Sequence, residues 1–385
     1  MSFPVNALCI LAASALIMVS CGKKDDGAAN VVRIGTAAPL TGPQSDIGID
    51  IEHGTQLAVD DLNAQGIEIG GRKMKFELLS EDDEANPSKA TTVAQKLVDS
   101  RVVAVVGHFN SGASIPASKV YADAGIPQIS PGSTNPRYTQ QGYATTFRVV
   151  ANDDQQGPAV ASFLVNSLKA RKVAIIDDST AYGQGLAGTF EATVKAAGVD
   201  VVAHEHTTDK DTDFAAILTS IKGRQPEYVF FGGIYSQAGP MAKQMKALGL
   251  NVPLLGGDGI QTPKFIEVAG DAAEGTYASI PGLPKDKMPG GKTFMDKFQA
   301  KYGKPVELFA PMGYDAVFVI AEAMKRAGSV DPAKVLPELK KTKYNGVIGP
   351  IEFDDKGDLK NGPITINVVR GGKWEALETV IPGAK

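Results

Sequence analysis

Two periods of apolar residues alternate along this 385-residue chain, and their alternation predicts its fold. Short β-branched and apolar runs begin at Val31, Lys73, Val102, Lys172, Val199, Tyr228 and Val252, and they read as buried strands. Between them, apolar residues recur at the i, i+3, i+4, i+7 spacing of one helix face. That spacing predicts helices over about 50–65, 86–99, 113–124, 153–169, 182–196 and 237–248, with another opened by Asp213. Strands and helices in strict alternation mean parallel sheets covered by helices on both faces. Two such series imply two doubly wound lobes. The pattern changes near Gly290, where two or three helices run to about Lys341 before two final strands, Ile364–Val369 and Trp374–Val380. Helices following a completed α/β series predict that the chain crosses back to the first lobe, and the last strands return to the second.

The N-terminus follows a different rule. Residues Phe3 to Val19 are almost wholly apolar but too short to span a bilayer, and a small residue and a charged run follow. This reads as an export signal over 1–21, with a polar tether over 22–30. Met18-Val19-Ser20-Cys21 resembles a bacterial lipobox, which implies lipidation of Cys21, although Met18 replaces the usual leucine and no basic residue precedes the apolar run. Cys9 and Cys21 are the only cysteines, so the rest of the chain has no disulfide and depends on its core. The net charge of −4, without a basic run, leaves no footprint for nucleic acid.

Candidate chemistry concentrates between Val102 and Pro136. The strand ending at Gly107 runs into the polar turn HFNSG, a helix and a second strand, and then the small-polar turn Ser130–Asn135. Ligands of open α/β sheets bind beyond the carboxyl ends of the strands. Ser111 begins the helix, where free N–H groups and the helix dipole favour a carboxylate or a phosphate. Capping by Asn110 and Ser111 is the simpler alternative for that turn taken alone; the second turn favours a site.

Other motifs carry less. Gly183–Gly188 matches GxGxxG but begins several residues beyond its strand, where a pyrophosphate would not be cradled. Asp209, Asp211 and Asp213 alternate as in a calcium loop, yet position six is Phe214 and no Glu closes the loop. His204 and His206 share a strand face without a third ligand at suitable spacing, and read as surface histidines. Neither GxSxG nor a Walker motif occurs. No catalytic residue, metal or cofactor is expected.

From Val31 onward, ordered blocks are similar to the extracytoplasmic solute-binding proteins of branched-chain amino acid ABC transporters. These blocks are PLTGPQSDIG, LAVDDLNAQG, GHFNSGASIPAS, GIPQISPGSTNP, DDQQGP, YGQGLA, FFGG, GYDAV and IGPIEFDDKGDLK. The resemblance implies an α/β fold of the periplasmic binding protein-like I class, with two Rossmann-like doubly wound lobes, three crossovers and ligand in the cleft. Lobe 1 would comprise 31–149 and 281–348, and lobe 2 150–280 and 349–385. It further implies that Ser111 and Thr134 hold an amino acid's carboxylate, that Gly132 offers a carbonyl to its ammonium, and that Asp258 pairs with that ammonium. Phe109, Asn110 and Ser133 belong to the same turns, and Tyr182 and Tyr314 match aromatic positions that line the cleft. Ile47 and Ile234 stand where relatives often carry aromatics, which predicts a roomy apolar end. A periplasmic monomer serving an inner-membrane permease is the implied role, with a receptor for another small carboxylate or amide, or an exported α/β enzyme, as alternatives.

Overall fold

In a computed structural model the described residues are Met1 and 30–381. The export signal after Met1, Cys21 and the tether up to residue 29 lie outside them. The first series is β1 (Val31–Ala38), α1 (Ser45–Gln65), β2 (Glu68–Ile69), β3 (Arg72–Lys73), β4 (Lys75–Asp82), α2 (Pro87–Asp99), β5 (Ala104–Gly107), α3 (Ser111–Asp123), β6 (Gln128–Ser130), α4 (Arg137–Gln140) and β7 (Thr146–Arg148). A second follows: α5 (Asp153–Asn166), β8 (Lys172–Asp177), α6 (Ala181–Ala196), β9 (Asp200–His206), α7 (Ala215–Gly223), β10 (Tyr228–Gly232), α8 (Tyr235–Ala247), β11 (Leu254–Gly256), α9 (Pro263–Ala269) and β12 (Tyr277–Ile280). The tail holds α10 (Gly291–Tyr302), α11 (Ala310–Ala327), α12 (Pro332–Leu339), β13 (Lys343–Asn345), β14 (Pro350–Glu352), β15 (Ile364–Arg370) and β16 (Lys373–Val380).

Five strands form the first sheet, in the parallel order β4-β1-β5-β6-β7. The second has seven, β16-β15-β12-β11-β10-β8-β9, with only β15 and β16 antiparallel. The two lobes and the returning tail therefore match the expected α/β architecture. Local chemistry explains the boundaries. Asn86 accepts from the N–H groups of Ser88 and Lys89 and places Pro87 at the start of α2, where its missing N–H costs nothing. Strands β7 and β12, of three and four residues, are too short to carry a period of their own, which is why the sequence pattern passes over them.

The tail helices attach through α11, which packs along α1. A Cβ at Gly54 would lie 2.0 Å from the Ala310 carbonyl oxygen, so only glycine lets these backbones approach so closely. Asp50, fully buried on α1, accepts from the N–H groups of Glu307, Leu308, Phe309 and Ala310 at 2.8–3.1 Å and caps α11 from outside. Burial raises its pKa despite those donors.

A second buried charge joins the lobes' connections. Arg148, with no exposed surface, donates to the carbonyls of Ser133 (2.5 Å) and Asn135 (3.0 Å) and to Thr139 Oγ1 (3.0 Å). Its Nε lies 2.6 Å from Oδ1 of Asp358, on the segment after β14. Removing one partner of such a pair leaves the other charge buried alone, at a cost of about 3–5 kcal/mol. Arg148→Met should therefore lower the thermal midpoint sharply. Adding Asp358→Leu should recover part of the loss, because no orphan carboxylate then remains; calorimetric unfolding of both variants measures this.

Candidate functional site

The first turn, His108–Asn110, is fixed from behind. His108 is fully buried, its Nδ1 2.7 Å from Asp83 Oδ2 and its Nε2 3.1 Å from the Tyr121 hydroxyl. The His108 carbonyl accepts from the hydroxyls of Ser114, Ser130 and Ser133. Asn110 does not use its side chain as a cap; its Nδ2 donates to Gln44 Oε1 at 2.7 Å. The N–H groups of Ser111 and Gly112 thus open α3 without an acceptor among the described residues, the arrangement that suits an anion at a helix N-terminus.

The second turn is held by Arg148 and by Ser130, whose hydroxyl accepts from Ser133 N–H at 2.8 Å. The two turns meet: Asn135 N–H donates to Ser111 Oγ at 3.2 Å, and a Cβ on Gly132 would sit 2.4 Å from the Phe109 ring. Glycine at 132 is what lets that ring close over the turn.

From the second lobe come acids. Thr134 Oγ1 donates to Asp153 Oδ2 at 3.1 Å, and the single amide nitrogen Gln156 Nε2 faces Asp153 Oδ1 (3.0 Å) and Asp258 Oδ1 (2.8 Å). The Gln156 amide is oriented by Ser279, which donates to its Oε1 at 3.0 Å. Tyr182 donates to Asp258 Oδ1 at 3.0 Å while accepting from Gly259 N–H. Both carboxylates are buried, and neither has a hydrogen-bonded Lys or Arg among the described residues. Burial, and for Asp153 the neighbouring Asp258, push their pKa values up to about 7 and about 6. Such a pair is poised to receive a cation.

Beside this network a cavity of about 610 Å³ separates Gln44, Asn110 and Gly112 of the first lobe from Asp178, Tyr182 and Ile234 of the second. The lobes also touch directly: Tyr235 donates to the Pro43 carbonyl at 2.8 Å, and Asn135 Nδ2 to that of Ala181 at 2.5 Å. Ser111, Gly132, Ser133, Thr134, Tyr182 and Asp258 are thus brought into one neighbourhood, with Phe109 and Asn110. Ile47 is buried in the first turn of α1, within the apolar cluster that also holds Phe109 and Phe309.

Tyr314 is not there. Its hydroxyl donates to Asp61 at 2.7 Å and its ring packs on Phe294 and Phe318. Asp61 lies fourteen residues beyond Ile47 on α1, about 21 Å along the axis, so Tyr314 is a packing residue remote from the cleft. The first two glycines of the GxGxxG match serve packing, since a Cβ at Gly183 would meet Asp178 and Gly232, and one at Gly185 would meet Asn135 across the cleft, whereas a Cβ at Gly188 would meet nothing. His204 and His206 do have a third partner, Asp177, supplied by the adjacent strand and so invisible to spacing along the sequence. Sequence reasoning also missed Asp153 and Gln156. Their i, i+3 spacing in the first turn of a helix was the available signal.

A family model described as periplasmic binding protein matches residues 31–373. The chain belongs to this family. An amino acid binding protein of Pseudomonas aeruginosa is 40% identical over 332 residues, spanning 86% of this chain and 87% of the relative. A leucine-, isoleucine-, valine-, threonine- and alanine-binding protein of the same organism is 34% identical, spanning 88% and 90%. The solved branched-chain amino acid transporter substrate-binding protein of Streptococcus pneumoniae, in complex with isoleucine, superposes with a TM-score of 0.84 at 31% identity, covering 91% of this chain and all of its own. Membership makes this protein a non-catalytic, solute-binding component of transport.

The raised carboxylates make stability depend on pH. Between about pH 4 and 7 the folded family member holds protons that the unfolded chain has lost. Their contribution is full below the unfolded pKa near 4 and is lost as pH rises through the folded values of about 6 and about 7. Asp153→Asn should therefore gain about 2–4 kcal/mol over wild type at pH 8 and far less at pH 4.5, measured by urea unfolding without amino acids.

Proposed function

We propose that the protein is an exported receptor for an aliphatic, branched-chain amino acid, which it passes to an inner-membrane ABC permease. One observation carries the choice of an amino acid over a simple carboxylate or amide: two buried carboxylates, Asp153 and Asp258, share one amide donor close to a helix N-terminus. A zwitterion satisfies both ends. Its carboxylate would take the Ser111 and Gly112 N–H groups, the hydroxyl of Ser111 and that of Thr134, which would turn to it from Asp153. Its single positive charge would offset one carboxylate, Asp258 being its ionic partner with Asp153 beside it, and would use the Gly132 carbonyl. Relatives named for leucine, isoleucine and valine support the same ligand class.

Ile47 and Ile234 would bound a broad apolar end, because one methylene in such a pocket is worth only about 1–3 kcal/mol. The three crossovers near Val149, Ile280 and Pro350 would form the hinge, closure being favoured because ligand groups come from both lobes. The lobe boundaries would follow: 31–149 with 281–348, and 150–280 with 349–385. Lipidation at Cys21 would tether a monomer to the membrane.

Calorimetry of leucine, isoleucine and valine against their deaminated keto acids tests the reading. Leucine should bind at least as well as valine, and keto acids far more weakly than either. Asp258→Asn should weaken amino acids by about 2–5 kcal/mol and keto acids little; equal losses would make Asp258 structural. Ligand ammonium needs ionised carboxylates, so affinity should fall as pH drops from 8 to 5.5 through the raised pKa values. Affinity that is flat across this range would contradict the carboxylate pair as the ammonium seat.

A further inference from the structure

Lobe 2 carries a second group of convergent side chains, apart from the amino-acid network. Strand β9 is the exposed edge of the second sheet, and its His204 and His206 fall two residues apart, on one face. In the parallel ladder Asp177, at the end of β8, stands opposite His206. Asp177 Oδ2 lies 2.9 Å from His204 Nε2 and 2.7 Å from His206 Nδ1, and the three atoms are all within 4.8 Å of one another.

We propose that Asp177, His204 and His206 form a binding site for a divalent first-row transition ion of the zinc class. The donor set is two imidazole nitrogens and one carboxylate oxygen, which suits such an ion and not Mg²⁺ or Ca²⁺. A tetrahedral ion needs its ligand atoms about 3.4 Å apart, so the Asp177–His204 and Asp177–His206 separations of 2.9 Å and 2.7 Å need to open by roughly 0.5–0.7 Å. The outer partner is present too. Glu191 Oε2 lies 2.9 Å from His204 Nδ1, which keeps a proton on that nitrogen and presents Nε2 to the metal. Asp177 is 1% exposed while the His206 side chain is 60% exposed, so the site has an anchored base and an open fourth position for water.

Location gives the site a consequence. Asp177 is followed by Asp178, Ser179 and Thr180, and His206 is soon followed by Thr208, Asp209 and Lys210; all six line the mouth of the cleft. The two segments are already tied, Thr207 N–H donating to the Asp177 carbonyl and Ser179 Oγ to that of Thr207. A bound ion would clamp both strand ends beneath that rim.

The test is titration of the full chain with Zn²⁺ in amine-free buffer without amino acid, by calorimetry and thermal unfolding, with Mg²⁺ as control. Wild type should bind one Zn²⁺ that His206→Ala no longer binds and should show a metal-dependent rise in thermal midpoint that the variant lacks. Because the His206 side chain is 60% exposed, its replacement leaves the fold intact, and the region before residue 30 is the same in both proteins, so any metal it takes cancels in the comparison. Glu191→Gln should weaken binding about ten- to a hundredfold. Zn²⁺ binding of equal stoichiometry and affinity in His206→Ala, or none in wild type, would overturn the assignment; an unchanged affinity in Glu191→Gln would overturn the positioning role of Glu191.

Discussion

A buried guanidinium that touches no solvent has to find acceptors inside the protein, and the need of Arg148 for them shapes the centre of this molecule. It gathers two carbonyls of the second turn, a hydroxyl of α4 and a carboxylate from the segment after β14. Those carbonyls flank Thr134. The peptide planes that aim Thr134 toward the cleft are therefore set by a residue at the end of β7, and the connection between lobes is anchored by the same charge. Gly357 completes the seam: its carbonyl accepts from Arg148 N–H at 3.0 Å, and a Cβ there would lie 2.0 Å from the Thr146 carbonyl oxygen.

Around this anchor the two lobes divide the electrostatics. Free N–H groups and hydroxyls lie on lobe 1, whereas carboxylates converge from α5 and the loop after β11. Neither half completes a receptor for a zwitterion. The lobe 2 carboxylates also repel one another in a dry environment, a strain that an ammonium group would relieve. Selectivity for amino acids and favourable closure would then have one physical origin.

Much of this was legible in the sequence. Hydrophobic periods located the long strands and helices, and the turns HFNSG and PGSTN, where small polar residues end two consecutive strands, pointed to the candidate site and do meet in the structure. What was illegible depends on neighbours distant along the chain. Arg148 reads as one basic residue in a short strand, and its partner Asp358 is 210 residues away. Asp153 and Gln156 read as the start of a helix until Asp258 is placed against them. Tyr314 failed for the opposite reason. Its block resembles one that contributes to the cleft, but α11 turns that ring toward Asp61 and the aromatic cluster beside α10.

The order of the strands also constrains how the molecule is made. Strand β15 is buried along nearly its whole length beside β12, yet all the helices that return to lobe 1 are synthesised between them. Lobe 2 therefore lacks one inner wall until late in translation, and lobe 1 lacks α11 for nearly as long. Nascent chains with both cores open stay pliable, which would suit a polypeptide exported, as proposed above, before it folds.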